Sequence, residues 1–167
     1  AEILNINTLG VLNILNASNV DVITIGSIAA IDFNDNIYAY SKHCVEGLCD
    51  FYSKLHIIRF PGLFSCERKD GAINIFYQKA IKNENITINS DLKRWNCLDI
   101  DTACKTFFSN IDIILTNKIS NIGYIELHTL STVANLICDF LDSDSYVNIF
   151  SEPIVCNMNN YNGKFII

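Results

Sequence analysis

Apolar residues recur along the first part of the chain with two different periods. Over residues 2–18 they fall at roughly helical spacing, which predicts a helix. Residues 21–26 form a short, β-branched run, which predicts a buried strand. Residues 37–54 return to the helical spacing, and residues 56–60 form a second short apolar strand. The first third of the chain is therefore predicted to run helix–strand–helix–strand.

The remaining chain alternates in a looser way. Short apolar strands that alternate with helices are typical of a parallel sheet covered by helices. We therefore expect an α/β fold, with a parallel sheet that has helices on both faces and a small mixed lobe towards the C-terminus. The later elements are predicted as helices near 71–83, 100–116 and 128–141, and as short strands near 86–88, 95–98 and 122–126.

Composition and charge narrow the classes of function. Half of the 167 residues are hydrophobic, 18% are charged and the net charge is -6, so the chain can build a core and is not disordered. An acidic chain without a basic cluster is not expected to bind nucleic acid. The chain has no apolar run of about 20 residues, so we expect no membrane helix.

The cysteines and histidines do not form a metal-binding pattern. Seven cysteines are present, an odd number, and none forms a C-x-x-C pair, while the three histidines are far apart in sequence. Zinc sites need clustered ligands, so we expect no metal. Scattered cysteines in apolar segments usually pack as small core residues, which indicates a cytoplasmic protein.

Tyr38 and Lys42 carry the strongest chemical signal. Residues i and i+4 share one face of a helix, so the pair is predicted to lie together at the start of the second helix. A lysine ammonium beside a phenol lowers the tyrosine pKa, and a tyrosine tuned in this way can act as a general acid or base. The alternative for the pair alone is that Lys42 is solvated and Tyr38 packs.

Three further signals fall on the neighbouring elements. Ser27 directly follows the first strand, and Pro61-Gly62 follows the second. Open α/β sheets bind ligands at the carboxyl ends of their strands, so both sites are expected at that edge. Asn7 lies in the preceding helix. The occurrence of these residues in this order on successive elements is a more specific signal of a reaction site than the Tyr38–Lys42 pair alone.

These residues make the chain resemble the extended short-chain dehydrogenase/reductases, the NAD-dependent epimerases and dehydratases. That family has an Asn-x-x-Gly helix, a strand that ends in Ser or Thr, a Tyr-x-x-x-Lys helix, and a strand followed by a turn. The resemblance spans about residues 5–141 and is strongest over 5–65. The corresponding segments here are Asn7-Thr-Leu-Gly10, Val22-Ile-Thr-Ile-Gly-Ser27, Tyr38-Ala-Tyr-Ser-Lys42 and Arg59-Phe-Pro-Gly62.

The resemblance implies a role for each of these residues. Tyr38 would be the acid/base, Ser27 would orient the substrate, and Asn7 would support the catalytic hydrogen-bond network. Lys42 would tune Tyr38 and bind the nicotinamide ribose. The family likeness also implies NAD or NADP as cofactor, a nucleotide-sugar substrate and a homodimer. Pro61 and Gly62 would line the nicotinamide site, and Arg94 would contact a substrate phosphate, although a surface arginine is an equal alternative.

The likeness also suggests a division into domains. Residues 1–62 resemble the second half of a Rossmann-like dinucleotide-binding domain. Residues 63–167 resemble mainly a substrate-binding lobe, with elements at about 100–126 that return to the Rossmann core. The family's G-x-x-G-x-x-G turn does not occur among the seven glycines. We therefore expect that the glycine-rich first half is missing and that this chain alone binds NAD(P) poorly. A non-catalytic binding or scaffold module descended from the family is the alternative.

Overall fold

The chain folds into two compact units. A computed structural model describes residues 2–65, 67–89, 91, 96–124 and 128–149, together with the backbone of 164–166. The first unit comprises Ala1–Pro61, Asp101–Gly123 and Asn159–Ile167, and the second comprises Gly62–Ile100 and Tyr124–Met158. Eight strands are described, in chain order: β1 Val22–Ser27, β2 Leu55–Phe60, β3 Gly62–Phe64, β4 Ile86–Ile88, β5 Cys97–Asp99, β6 Ile119–Ile122, β7 Val147–Ile149 and β8 Lys164–Ile166.

The first unit is built on a four-stranded parallel sheet with the order β1-β2-β6-β8. Every residue of β2 is buried, as expected of a strand with a neighbour on each side and a covered face. The core of this unit includes Leu15, Val45, Leu55 and Ile57, which come from two helices and from β2. In the strand order given above, β1 forms one edge of the described sheet.

Two helices of the first unit flank β1 in sequence. The Asn7 helix runs through Glu2–Leu4, a π-helical segment at Asn5–Leu9, and Gly10–Ala17. The Tyr38 helix is Ile37–Gly47, followed by a short 3₁₀ turn at Leu48–Asp50. Two more helices of this unit, Ile100–Ser109 and Ile111–Leu115, lead into β6.

Among its described residues, the second unit has two helices and two pairs of short parallel strands. Helices Ala72–Ile81 and Leu130–Leu141 pack on one another, while β3 pairs with β5 and β4 pairs with β7. The apolar stripe of each helix contributes to one core, as an amphipathic pattern requires. This core is formed by Phe76, Ala80, Ile86, Ile88, Ala134 and Cys138.

The predicted α/β class with parallel strands is confirmed, whereas several boundaries were wrong. The strand predicted near 122–126 is Ile119–Ile122, because its polar middle, Ser120 and Asn121, is buried in the sheet and gave no apolar signal. The helix predicted over 100–116 is interrupted at Asn110. Strands β3, β7 and β8 were not predicted; β3 and β7 each pair with a strand distant in sequence, which no local pattern indicates.

The described part of the chain contains no helix long and apolar enough to cross a membrane. Among the same residues, no group of three or more His, Cys, Asp or Glu side chains is arranged to hold a metal ion.

Candidate active site

A side-chain cap fixes where the Tyr38 helix begins. Asn36 has an extended backbone, with φ -160° and ψ 156°, and its side-chain oxygen accepts a hydrogen bond of 2.8 Å from the Ala39 N–H. Asparagine is among the best residues for this position because it satisfies an amide that the helix leaves free. The helix therefore starts at Ile37 and places Tyr38 in its first turn.

Tyr38 and Lys42 lie side by side on this helix, as their spacing predicts. The Lys42 Nζ atom is 5.8 Å from the centroid of the Tyr38 ring, within the range of a cation–π contact. The Tyr38 side chain is 46% exposed, so its phenol is open to a ligand. The pair thus presents an accessible hydroxyl beside an amine.

Lys42 also ties the helix to the end of β1. Its Nζ donates a hydrogen bond of 2.9 Å to the Ile25 carbonyl. The Val22 N–H donates to the Lys54 carbonyl across the sheet. In a parallel pair, alternate residues direct their N–H and C=O groups to the same neighbour, so those of Ile23 and Ile25 point away from β2. Burial lowers the pKa of the Lys42 amine below its ordinary value, because desolvation disfavours the charged form.

Ser27 is the last residue of β1, two positions after Ile25. Its Oγ accepts a hydrogen bond of 3.2 Å from the Ala29 N–H and caps the 3₁₀ turn Ile28–Ile31. The hydroxyl proton is not used in that bond, so it can be donated to a substrate oxygen. Ser27 thus caps the turn through its oxygen, while its hydroxyl can still donate a hydrogen bond to a ligand.

Asn7 reaches the Tyr38 helix through Ser41. The Asn7 Nδ2 donates to Ser41 Oγ at 2.9 Å, and Ser41 Oγ donates to the Tyr38 carbonyl at 2.7 Å. Asn7 lies in the π-helical segment of its helix, an irregularity that is frequent at functional sites. The predicted supporting residue therefore touches the backbone of Tyr38's turn through an intermediary that the motif did not reveal.

A buried ion pair beneath the helix was missed from the sequence. The carboxylate of Glu46 accepts hydrogen bonds of 2.6 Å from both Nε and Nη2 of Arg59, and both side chains are buried. Glu46 lies one helical turn after Lys42, and Arg59 lies in β2. An arginine within an apolar strand was the available signal, because a buried charge requires a partner.

Gly26 allows β1 to lie close to β2. A Cβ atom at position 26 would come within 2.8 Å of Ile57 Cγ2 and 3.1 Å of the Ile58 carbonyl oxygen. Only glycine fits without a shift of the neighbouring strand. This residue type immediately before Ser27 is thus explained by packing.

Pro61 follows β2 at the sheet edge where Ser27 ends β1, because Ser27 pairs with Phe60. Pro61 is buried directly after β2, and Gly62 begins β3, where its N–H donates to the Asn96 carbonyl at 3.2 Å. Gly62 thus has strand backbone, and among the described glycines only Gly71 has a positive φ. A role for Pro61 and Gly62 at the nicotinamide stays a prediction. Arg94 lies outside the described residues.

Tyr38 and Lys42 offer hydrogen-bond donors of the kind that bind sugar hydroxyls. An exposed phenol and a half-buried amine, 5.8 Å from the ring, can hydrogen-bond the two hydroxyls of a ribose. The pyrophosphate of such a cofactor is normally held at a helix N-terminus that follows a glycine-rich turn. No such turn stands among the seven glycines of the sequence.

Comparison with known proteins supports the fold. No protein-family model matches the chain, and no curated protein is significantly similar in sequence. The UDP-glucose 4-epimerase of Thermotoga maritima, solved with UDP-glucose, superposes with a TM-score of 0.70 at 14% identity over 98% of this chain. The NAD-bound dTDP-glucose 4,6-dehydratase of Bacillus anthracis superposes with a TM-score of 0.72 at 13% identity over 94% of this chain.

In both comparisons the chain spans only 60% of the solved protein. The Thermus thermophilus UDP-glucose 4-epimerase with NAD gives the same share, with a TM-score of 0.67 and 15% identity. Likeness at such low identity establishes the fold and leaves the activity to the site. The chain therefore has the fold of these solved epimerases and dehydratases, over about 60% of their length.

Proposed function

We propose that this chain is part of an NAD(P)-dependent oxidoreductase of the nucleotide-sugar epimerase/dehydratase type, and that Ser27, Tyr38 and Lys42 form its reaction site. One observation carries the proposal. The exposed Tyr38 phenol lies beside Lys42, and Lys42 is bonded to the β1 strand that ends at Ser27. These three residue types at the carboxyl edge of a parallel sheet suit proton transfer at a sugar hydroxyl.

Each side chain has a defined task in this proposal. Tyr38 takes the proton from the sugar hydroxyl, or returns it, at the phenol oxygen. Ser27 donates its free hydroxyl proton to the same sugar oxygen and so fixes its position. The bound nicotinamide would exchange a hydride with the carbon of that hydroxyl.

Lys42 holds the cofactor end of the site. Its amine can donate to a ribose hydroxyl while it lies beside the Tyr38 ring. Pro61 and Gly62 would line the nicotinamide, and Arg94 would contact a phosphate of the nucleotide sugar. The Asn7 amide acts behind Tyr38, through Ser41.

We further propose that the chain alone is inactive. The support is that β1 lies at the edge of the described sheet and Ile25 is 49% exposed there, so this strand has an unpaired side. The same observation favours the second candidate, a non-catalytic module of the same fold that binds a partner through this edge.

Titration calorimetry with NAD(H) and NADP(H) tests the proposal. We would titrate this chain and the longest natural form of the protein that contains it. We expect binding by the longer form, and a loss of about tenfold to a hundredfold in affinity for Lys42→Ala, the worth of one charge-assisted hydrogen bond. Lys54→Ala is the matched control, because its amine also donates to a backbone carbonyl, that of Ser18.

The outcomes separate the two candidates. Binding that depends on Lys42 and not on Lys54 supports the enzyme. If the longer form binds neither dinucleotide, the enzyme is refuted and the binding module takes its place.

A further inference from the structure

Ser41 is a fully buried polar residue at the junction of two helices. Its exposed fraction is 0%. A serine hydroxyl has one proton to donate, and Ser41 donates it to the Tyr38 carbonyl at 2.7 Å. Its oxygen then accepts the Asn7 amide at 2.9 Å. The direction of both hydrogen bonds is fixed by this single proton.

A second bond joins the same two helices. The Thr8 hydroxyl donates to the Ser41 backbone carbonyl at 3.2 Å. Asn7 and Thr8 are consecutive, yet both contact one residue. In an α-helix consecutive side chains point in clearly different directions, whereas the wider i→i+5 turn at Asn5–Leu9 brings them closer together. The π-helical segment thus explains how two neighbours bind Ser41.

We propose that Ser41 is a positioning residue that locks the Tyr38 helix to the π-helical segment and so sets the places of Tyr38 and Lys42. This inference rests on the proposed function of those two residues. Ser41 directly precedes Lys42, and its hydroxyl is bonded to the Tyr38 carbonyl. Loss of the hydroxyl removes the acceptor of the Asn7 amide and leaves the Thr8 bond in place. The first turn of the Tyr38 helix can then shift.

The position of the Lys42 amine reports on this lock. Lys42 Nζ is half-buried and bonded to the Ile25 carbonyl at 2.9 Å. If the first turn of the helix shifts, this bond breaks and the amine meets water more often. The rate at which an amine reagent acylates Lys42 should then rise, and the measurement needs neither cofactor nor turnover.

The experiment compares the chain with its Ser41→Ala variant. Both are treated briefly with an acetyl N-hydroxysuccinimide ester at fixed pH, and the acylation of each lysine is read by peptide mass spectrometry. We expect Lys42 to react about threefold to tenfold faster in Ser41→Ala, the size of a modest local opening. Ser18→Ala removes a hydroxyl from a half-buried site of the same unit and should change nothing at Lys42.

Two other lysines separate positioning from simple destabilisation. Lys54 and Lys118 also donate to backbone carbonyls of the first unit. If Ser41 only stabilises the unit, all three lysines should accelerate together, and that result overturns the proposal. Acceleration of Lys42 alone supports it.

A second variant covers the case in which Ser41→Ala does not fold. Thr8→Val keeps the shape of the side chain and removes only the donor to the Ser41 carbonyl. It should accelerate Lys42 in the same selective way, and an unchanged rate overturns the proposal. A failure to bind dinucleotides in calorimetry leaves this labelling result standing, so the two hypotheses fail separately.

Discussion

The buried ion pair of Glu46 and Arg59 gives the sharpest stability prediction. Glu46→Gln keeps the side-chain shape but removes the negative charge that the guanidinium meets through two bonds of 2.6 Å. Removing one partner of a buried pair typically costs about 3–5 kcal/mol, because the other charge stays in a medium of low dielectric. Whole domains are stable by about 5–15 kcal/mol, so this change consumes a large fraction of the total.

Amide hydrogen exchange is the suitable assay because it reads each unit separately. The amides of β2, buried at every position, report the opening of the first unit. A loss of 3–5 kcal/mol should accelerate their slowest exchange by about two to four orders of magnitude. The control is Asp70→Asn, which breaks the exposed Arg68–Asp70 pair and should leave the exchange of helix Ala72–Ile81 unchanged.

Two results would refute this reasoning. The first is β2 exchange in Glu46→Gln that matches the unchanged chain, which would mean that the pair contributes nothing net. The second is an Asp70→Asn effect of similar size, which would mean that burial does not decide the value of an ion pair. A double variant, Glu46→Leu with Arg59→Met, should be less damaged than Glu46→Gln, since no charge is left buried.

Three further predictions concern packing, capping and titration. Gly26→Ala should lower the thermal unfolding stability by about 1–3 kcal/mol, because the added carbon would lie 2.8 Å from a side chain of β2, whereas Gly47→Ala, with open space around it, should not destabilise. Asn36→Ala should cost about 1 kcal/mol in the same assay and speed amide exchange in the first turn of the Tyr38 helix. Burial raises the pKa of the Cys49 thiol from 9.0 to about 11, so the unfolding free energy should fall as the pH rises from about 9 to about 11, where only the unfolded thiol is ionised. In urea titrations over this pH range, Cys49→Ala should show a weaker fall than the unchanged chain. The control Cys104→Ala, at an exposed cysteine, should show the same fall as the unchanged chain.

Much of the first unit was predictable because its elements obey simple periods. Four of the six residues of β2 are apolar, and apolar residues recur at roughly helical spacing over residues 37–54. The pair Tyr38 and Lys42 was also predictable, since i and i+4 share a helix face in any helix. Local rules sufficed wherever one element determined the outcome.

The elements and contacts that escaped prediction depend on residues far apart in sequence. Strand β6 was misplaced because Ser120 and Asn121 are polar yet fully buried, and burial depends on the strands beside them. The partners of Ser41 lie 34 and 33 positions earlier, and no local pattern indicates such a pairing. The hydrophobic pattern of residues 5–9 does not distinguish the π-helical segment from an α-helix.

The buried polar groups of the first unit are placed in a way that has a physical consequence. Ser41 and Glu46 both lie on the inner side of the Tyr38 helix, where apolar residues would pack at lower desolvation cost. Each is bonded to a different element, Ser41 to the Asn7 helix and Glu46 to β2. Hydrogen bonds are directional, whereas apolar contacts tolerate sliding, so two such bonds at separate turns fix both the rotation and the translation of the helix. A helix held in this way would keep Tyr38 and Lys42 at fixed positions even though their own side chains reach towards the surface, as the proposed reaction site at that edge requires.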